Sequence, residues 1–347
     1  MDIKKAIAQA VEGQDINILD MENIMRQIMT GETTSAQIAA LLVALRMKGE
    51  TVDELTASAS VMRELVTPVK VDGQHIIDIV GTGGDGLHTF NVSTTSCFVV
   101  AAAGATVAKH GNRSVSSTSG SADILEAAGI NLNISSAHVE QCIKELGVGF
   151  MFAPLHHSAM KYAIGPRKEM AIRTMFNLLG PLTNPAGAPN QLLGVFAKQW
   201  LEPLARVLKN LGSEHVMVVH SADGMDEISM SDKTFVCELN ADKLNKGEIS
   251  HYTITPEQFG MTRGSIEDIT VNSAQESLAM MQSVLDDNAG AARDIVTLNS
   301  GAAIYCAGLS QTLEEGVEKA RQAISSGAAK EKLIQLARMT QSFSASK

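Results

Sequence analysis

The chain has 347 residues and a formal net charge of −10 at pH 7. Its length allows one large domain with a sizeable core, or a large domain and a small one. The acidic balance argues against a general nucleic-acid binder, which needs a basic surface, and against a protein of anionic membrane surfaces. No apolar run resembles a signal peptide or is long enough to span a bilayer, so we expect a cytoplasmic protein.

The cysteines are scattered through the sequence. They form no C-x-x-C pair and have no histidine at zinc-finger spacing; they are Cys97, Cys142, Cys237 and Cys306. We therefore expect small buried apolar side chains in a reducing compartment, rather than disulfides or metal ligands.

Residues 1 to about 70 carry only helical patterns. The spacing of apolar residues predicts one helix over Leu19 to Met29 and a second around the stripe Ile38 to Leu45. A third helix is predicted to begin at the capping box formed by Thr51 and Glu54. Pro68 ends this block, so we expect a small helical domain over residues 1–70.

From residue 71 onward, apolar strand patterns alternate with helical ones, which predicts an α/β domain over residues 71–347. We expect a sheet of at least five strands. The predicted strands are 76–80, 105–108, 150–152, 192–196, 215–219 and 235–239, and helices are predicted to begin at Val92 and Ala122. A helical pattern over Arg167 to Leu178 precedes several prolines, and we expect residues 165–190 to return to the helical domain and form a hinge.

The loop Gly81-Thr82-Gly83-Gly84-Asp85-Gly86 lies between a predicted buried strand and a predicted helix start. Glycines allow backbone N–H groups to approach a phosphate without a side chain in the way. Asp85 inside such a cradle would repel the phosphate unless a cation or a sugar hydroxyl lay between them. The loop therefore predicts a sugar-pyrophosphate site with a metal ion.

Two other kinds of phosphate loop fit this stretch less well. The spacing of Gly81, Gly83 and Gly86 matches G-x-G-x-x-G, but the next strand leads into Lys109-His110-Gly111-Asn112-Arg113 instead of the acidic residue that holds a ribose. No Lys-Ser or Lys-Thr follows the glycines, which excludes a Walker loop.

Two polar stretches nearby have both a ligand-binding and a plain structural interpretation. Asn91-Val92-Ser93-Thr94 begins a predicted helix, where free N–H groups favour an anion, although Asn91 or Ser93 could also act only as an N-cap. The hydroxyl-rich run from Ser114 to Ser121 could equally be a solvated loop.

Asp226 and Glu227 follow a predicted strand and form the second carboxylate feature. Adjacent acids are either solvated on a loop or neutralised by a divalent cation, and oxygen ligands of this kind suit Mg²⁺. Arg167 and Arg173 lie on the predicted helix at the expected domain junction and could grip a carboxylate, or form ordinary salt bridges. His157 and its neighbour His156 have no third ligand, which indicates a cleft-lining or packed role instead of zinc.

Taken together and in order, these motifs resemble those of the anthranilate phosphoribosyltransferases of tryptophan biosynthesis over nearly the whole chain. The matching stretches are 81–85, 91–94, 109–113, 120–123, 173–185 and 226–229. The resemblance implies a small helical domain, a large α/β domain with a mixed central sheet, as in pyrimidine nucleoside phosphorylases, and a homodimer. One departure is Ser158, where the family commonly has proline.

The resemblance also implies roles for individual residues. Phosphoribosyl pyrophosphate would be bound by Gly81, Gly84, Asp85, Thr89, Asn91, Val92, Ser93, Thr94, Lys109, His110, Gly111, Asn112, Arg113, Ser114, Val115, Ser116, Ser117 and Ser121. Anthranilate would contact Gly81, His110, Asn112, His157, Arg167 and Pro181, with Arg167 facing its carboxylate. Magnesium would be bound by Ser93, Asp226 and Glu227. No side chain is expected to act as an acid or base, because positioning and charge stabilisation suffice.

Two other functions are compatible with parts of this pattern. A pyrimidine nucleoside phosphorylase would use phosphate as nucleophile on the same fold, but the stretch Lys109 to Asn112 and the pair Asp226-Glu227 favour the transferase. A non-catalytic binder of single-stranded nucleic acid is disfavoured by the acidic charge and by the intact metal-binding residues.

Overall fold

The computed structural model of the chain describes residues 1–114, 119–241 and 247–343. Its N-terminal part contains the helices α1 (Ile3–Val11), α2 (Ile18–Thr30), α3 (Ser35–Lys48) and α4 (Val52–Glu64). The predicted capping box of α4 is confirmed, since the Glu54 N–H donates to the Thr51 hydroxyl at 3.2 Å and the Thr51 N–H donates to the Glu54 carboxylate at 2.8 Å. The sequence did not predict α1, which is capped by Asp2.

In the described residues the central sheet has seven strands in the order β3-β2-β1-β4-β5-β6-β7. They are β1 (Ile76–Gly81), β2 (Thr106–Gly111), β3 (Val148–Phe152), β4 (Asn190–Gly194), β5 (His215–Ser221), β6 (Thr234–Asn240) and β7 (Ile249–Ile254). β1 to β5 are parallel, whereas β6 and β7 pair antiparallel, which confirms the mixed sheet. β7 escaped prediction because it is an edge strand with partly exposed side chains.

The remaining helices are α5 (Val92–Ala102), α6 (Ser121–Ala127), α7 (Ser136–Leu146), α8 (Ala153–His156), α9 (Lys161–Met170), α10 (Phe176–Leu179), α11 (Leu201–Asn210), α12 (Ala274–Leu285), α13 (Ala291–Cys306), α14 (Leu313–Ser325) and α15 (Ala328–Ser342). Both faces of the sheet are covered. Ile79 and Leu192 belong to the core shared with α5 and α13, whereas Leu193 and Val218 belong to the core shared with α11 and the N-terminal helices. Successive strand residues therefore enter opposite cores, as in buried parallel sheets.

The predicted helix over Arg167 to Leu178 is wrong. α9 ends at Met170, because Ala171 adopts a left-handed conformation with φ 52°, and α10 begins only at Phe176. The apolar spacing continues across this break, which is why the sequence suggested one helix. Ala163 and Phe176 lie in the same core as the N-terminal helices. The domain limits and the hinge stay predictions.

The cysteine prediction agrees with the structure, since all four thiols are free and buried. Across the part of the chain that the structure describes, no helix is both long and apolar enough to cross a membrane.

Candidate active site

The predicted functional residues gather where the parallel strands end. β1 lies between β2 and β4, so the chain order reverses beside β1, and loops diverge there to opposite faces of the sheet. A crevice at the carboxyl ends of strands at such a switch point is where open α/β sheets bind ligands. Residues 82–91, 112–114 and 222–231 follow β1, β2 and β5 at this edge.

Asp226 is wedged against the ends of β1 and β4. Gly81 and Gly194 are paired across these two strands. A Cβ atom on Gly81 would lie 2.4 Å from the Asp226 Oδ2, and one on Gly194 would lie 1.6 Å from the Asp226 carbonyl oxygen. The Gly83 N–H donates to Asp226 Oδ2 at 2.7 Å. Both glycines are thus needed because another chain segment approaches the backbone closely.

The carboxyl groups of Asp226 and Glu227 resist ionisation. Desolvation raises the pKa of Asp226 to about 7, and the nearby Asp85 carboxylate adds to the effect. Desolvation and the charge of Asp226 raise the pKa of Glu227 well above its usual range, while Lys109 and the Ser93 N–H oppose that shift. Asp85, Asp226 and Glu227 therefore lie within one another's electrostatic field, where a cation would relieve the repulsion.

This donor set fits magnesium. Within the described ranges, no group of three His, Cys, Asp or Glu side chains is arranged to hold a metal ion without other ligands. Mg²⁺ is commonly bound by one or two carboxylates and completes its shell with water and substrate phosphate. The predicted ligands Ser93, Asp226 and Glu227 are brought together, since the Ser93 N–H acts on the Glu227 carboxylate.

The loop that carries the acidic pair is held by contacts of its own. The Asp223 carboxylate accepts the hydroxyls of Ser221, Ser229 (2.5 Å) and Ser231, as well as the Met225 N–H at 3.2 Å. Burial acts to raise the pKa of Asp223, but these hydrogen bonds outweigh it and the pKa is lowered.

A second anchor holds the other side of the acidic pair. The buried Asn299 side chain of α13 exchanges hydrogen bonds of 2.9 Å with both backbone groups of Ile228. Sequence reasoning missed Asn299, because nothing in its neighbourhood links it to a loop 71 residues away.

Three glycines of the loop after β1 adopt positive φ: Gly83, Gly84 and Gly86, at 65°, 81° and 79°. The Arg173 guanidinium donates to the Gly84 carbonyl and lies 4.6 Å from the centre of the Phe196 ring. The interpretation of Arg173 as a helical residue is wrong, since it follows the break after α9, and its observed partner is a carbonyl of the glycine loop. Loop and break are joined by a contact that the sequence does not reveal.

The N-terminus of α5 does not use Asn91 as a cap. The Asn91 Oδ1 instead accepts the hydroxyls of Ser119 (3.1 Å) and Ser277 (2.9 Å), and its amide donates to the Ser119 carbonyl. Asn91 therefore ties the helix start to the end of the hydroxyl-rich run and to α12. The Thr94 hydroxyl is buried without a hydrogen-bond partner among the described residues. The Thr94 hydroxyl is therefore the group of the first turn of α5 that is left for a ligand. Close by, Thr89 forms an isolated bridge to Thr270.

The basic stretch at the end of β2 contains a buried lysine and an arginine that is paired with carboxylates of the protein. Lys109 is buried, donates to the Ile79 carbonyl at 2.6 Å and lies in the field of Glu227. The Arg113 guanidinium is neutralised by Glu126 at 2.5 Å and Asp123 at 3.2 Å. Its charge is therefore already paired in this structure.

The hydroxyl-rich run is fastened at both described ends by one residue. The Asp123 carboxylate accepts the N–H groups of Ser114 (3.0 Å) and Gly120 (2.9 Å). Ser121 donates to the Asn112 carbonyl at 3.3 Å and would clash with a side chain at Gly111. The predicted ligands Val115, Ser116 and Ser117 lie outside the described residues.

Two predicted anthranilate contacts meet directly. The rings of His110 and His157 are 5.0 Å apart, and both have a buried Nε2 with no hydrogen-bond partner in the described ranges. Burial lowers the pKa of His157 to about 4 and that of His110 well below its usual value, so both rings are neutral at pH 7. His110 also contacts the Gly180 backbone, directly before the buried Pro181.

His156 has the packed role that was one of its two interpretations. Its Nδ1 and backbone carbonyl both pair with the backbone of Thr67, each at 2.9 Å.

Asn184, which the sequence did not single out, donates to Asp78 at 2.7 Å and to the Ala108 carbonyl at 2.9 Å. It thereby fastens the segment that carries Pro181 to the sheet.

Arg167 is a half-buried cation with an aromatic neighbour. Its guanidinium lies 5.3 Å from the centre of the Phe176 ring. Desolvation lowers its pKa, and in the described part of the chain no carboxylate offsets that effect. A half-desolvated guanidinium beside an aromatic ring is suited to a planar aromatic carboxylate.

Comparison with known proteins identifies the family of the chain. Residues 73–330 match the model of the glycosyl transferase family, a/b domain, and residues 4–66 match that of its helical bundle domain. The chain is 58% identical over 342 residues to the anthranilate phosphoribosyltransferase of Thioalkalivibrio sulfidiphilus, covering 99% of this chain and 100% of that protein. It is 58% identical over 345 residues to the enzyme of the same name from Marinomonas sp., covering 99% and 98%.

Solved structures give the same result. The crystal structure of anthranilate phosphoribosyltransferase from Thermus thermophilus superimposes with a TM-score of 0.90 at 41% identity, covering 97% of this chain and 99% of that one. The Saccharomyces cerevisiae enzyme in complex with phosphoribosyl pyrophosphate and magnesium has a TM-score of 0.88 at 24% identity, covering 98% of both chains. At that identity the yeast structure supports the fold alone.

Proposed function

The chain belongs to the anthranilate phosphoribosyltransferase family, and from this premise we propose that it transfers the phosphoribosyl group of phosphoribosyl pyrophosphate to the amine of anthranilate. The products are N-(5-phosphoribosyl)anthranilate and pyrophosphate, and the reaction is a step of tryptophan biosynthesis. The observation that carries this function is 58% identity over 99% of the chain to a relative of that name.

Phosphoribosyl pyrophosphate is assigned to the crevice at the ends of β1, β2 and β5. The glycine loop 81–86 supplies N–H groups without side chains in the way, and the first turn of α5 offers the positive end of a helix. The buried ammonium of Lys109 adds charge of the right sign. The predicted contacts of residues 115–117 with phosphoribosyl pyrophosphate stay a prediction, because these residues lie outside the described ranges.

Magnesium is assigned to Ser93, Asp226 and Glu227. Support comes from two adjacent carboxyl groups whose pKa values are raised, mainly by desolvation. When bound there, the ion would supply positive charge against the pyrophosphate that leaves C1 of the ribose. Asp226 and Glu227 hold that charge in place, since their loop is anchored through Asp223 and Asn299.

The residues assigned to anthranilate are Arg167, His110, His157 and Pro181. Arg167 would bind the carboxylate, because its guanidinium is partly desolvated and unmatched by a protein carboxylate in the described ranges. The two neutral imidazoles offer Nε2 atoms and ring faces to an aromatic amine. An aromatic amine is already neutral at pH 7, so Arg167 and the rings need only orient it towards C1.

The test is the loss of anthranilate fluorescence after the protein is mixed with phosphoribosyl pyrophosphate, with magnesium and with a chelator. We expect consumption of both substrates that depends on magnesium. Parallel reactions with phosphate and a pyrimidine nucleoside test the phosphorylase alternative. Nucleoside cleavage without loss of anthranilate would overturn the proposed function.

A homodimer is also proposed, together with a cytoplasmic location. Val11, Leu19 and Met47 are 67%, 78% and 83% exposed on the N-terminal helices. Lys48 pairs at 2.7 Å with Asp15, which lies between α1 and α2, so Met47 lies at the end of the helical domain where Val11 and Leu19 flank this loop. Large exposed apolar side chains on neighbouring elements are typical of protein interfaces.

A further inference from the structure

Arg173 connects two parts of the molecule that bind different substrates in the proposed function. It lies in the short segment between α9, which carries Arg167, and α10, which leads to Pro181. Its guanidinium donates to the carbonyl of Gly84 in the glycine loop, 89 residues earlier in the chain. The Arg173 side chain thus connects the glycine loop to the segment from α9 to Pro181, which we call the anthranilate segment.

The contact between Arg173 and Gly84 is direct. A Cβ atom on Gly84 would lie 3.5 Å from both the Nε and the Nη2 of Arg173, and Gly84 has a φ of 81°, which disfavours any side chain. The guanidinium therefore packs on loop backbone that carries no side chain at Gly84.

The other side of the Arg173 guanidinium is fixed by an aromatic ring. The centre of the Phe196 ring lies 4.6 Å from the guanidinium. Phe196 is the second residue after β4, and its N–H donates to the Thr82 hydroxyl at 3.0 Å. Thr82 in turn donates its N–H to the Gly194 carbonyl at 2.9 Å. Arg173 is held between the loop and a ring that is itself tied to the loop.

Holding the Gly84 carbonyl fixes more than one atom. A trans peptide is planar, so the Gly84 C=O and the Asp85 N–H point in opposite directions. With the carbonyl turned towards Arg173, the Asp85 N–H must face away from it. The Thr82–Gly83 peptide, two units earlier, is fixed separately, because the Gly83 N–H donates to Asp226.

We infer that Arg173 is a positioning residue for phosphoribosyl pyrophosphate, which orients the Gly84–Asp85 peptide of the glycine loop and couples that loop to the anthranilate segment. This inference rests on the proposed function for the identity of the ligand. It differs from the role that the sequence suggested for Arg173, which was to grip a carboxylate.

The experiment compares Arg173→Ala and Arg173→Lys with the wild type. Arg206→Ala is the matched control, because Arg206 is an exposed arginine whose partner is Glu202 on the surface of α11. Calorimetric titration with phosphoribosyl pyrophosphate and magnesium, without anthranilate, measures binding independently of turnover. Hydrogen exchange of residues 82–87 in the ligand-free protein reports on loop order.

We expect Arg173→Ala to weaken phosphoribosyl pyrophosphate binding by about tenfold, the loss of one charged hydrogen bond and a cation–π contact. Arg173→Lys should recover part of it, since an ammonium can still reach the carbonyl. Exchange of the loop amides should accelerate in the alanine variant, and Arg206→Ala should match the wild type. In turnover, the KM for phosphoribosyl pyrophosphate should rise more than the KM for anthranilate.

Two outcomes would overturn the inference. A rise confined to the anthranilate KM would identify Arg173 as the carboxylate grip. Weaker phosphoribosyl pyrophosphate binding with unchanged loop exchange would make Arg173 a direct phosphate contact. These outcomes are distinguishable from failure of the proposed function. If the wild type bound phosphoribosyl pyrophosphate but did not consume anthranilate, the proposed function would fail, and the calorimetric and exchange comparisons could still be made.

Discussion

The Asp226 carboxyl group lies in surroundings that disfavour its ionised form. The ordinary pKa of an aspartate is 3.8, whereas desolvation, and then the charge of Asp85, raise the pKa of Asp226 to about 7. Between these two pH values the native state keeps a proton that the unfolded state has lost. This carboxyl therefore makes the metal-free protein less stable as the pH rises through that window.

Replacing Asp226 by Asn should remove that pH dependence. In metal-free buffer we expect the melting temperature of the wild type to fall relative to that of Asp226→Asn as the pH is raised from 5 to 8. Magnesium with pyrophosphate should raise the melting temperature of the wild type and have little effect on the variant. Turnover of the variant should drop by at least about tenfold. Calorimetric melts over a pH series measure the first effects, and the fluorescence assay the last.

The control for Asp226→Asn is Asp286→Asn, at an exposed carboxylate that pairs with Lys330. It should follow the wild type at every pH and keep the response to magnesium. If Asp226→Asn kept the full magnesium response, Asp226 would not be a ligand.

The sequence predicts some site residues and not their supports. Asp226 and Glu227 are adjacent, so their mutual repulsion is visible in the sequence. The closeness of Gly194 to the Asp226 carbonyl and the bonds of Asn299 to Ile228 depend on how distant segments pack. Such contacts have no local signal.

At the scale of elements, the loop from Ser221 to Ser231 behaves as a prefolded unit. Asp223 gathers three hydroxyls and one N–H within it, so it is held without help from a ligand. The lowered pKa of Asp223 means that its stabilising contribution is present above the unfolded pKa of about 3.8 and lost only as the pH falls through its lower folded value.

Asp223→Ala should destabilise the protein by about 2–4 kcal/mol, because three hydroxyls lose a charged acceptor. The KM for phosphoribosyl pyrophosphate with magnesium should also rise, since the acidic pair loses its fixed position. Urea unfolding and steady-state kinetics measure the two effects. Asp232→Ala is the matched control, at an exposed acid of the next turn that pairs with Arg263 at 3.2 Å. Equal losses in the two variants would contradict a special role for Asp223.

The sequence predicts elements where the local pattern and the tertiary contacts agree. The α4 capping box is such a case, since both of its hydrogen bonds lie within four residues. The pattern over Arg167 to Leu178 fails because Ala171 interrupts it with a left-handed residue, for which alanine gives no warning. β7 fails because its exposed face lacks the apolar content of the buried strands.

At the scale of the whole molecule, the order of helical and strand patterns in the sequence is enough to predict the fold class. Helices alone, followed by alternating strands and helices, predict a helical unit before a largely parallel sheet. The antiparallel pairing of β6 and β7 is decided by packing and cannot be read from apolar runs. The boundary near residue 70 stays a prediction.

The proposed homodimer makes the last prediction. If Leu19 and Met47, 78% and 83% exposed, are covered by a second copy, replacing both by lysine buries two charges in that interface. We expect the wild type to sediment as a dimer and Leu19→Lys/Met47→Lys as a monomer, with the fold intact by circular dichroism. Leu155→Lys is the matched control, an apolar-to-lysine change at a side chain that is 44% exposed outside the N-terminal helices, and it should remain dimeric. A wild type that is monomeric at micromolar concentration, or a double variant that stays dimeric, would show that this face is not the interface.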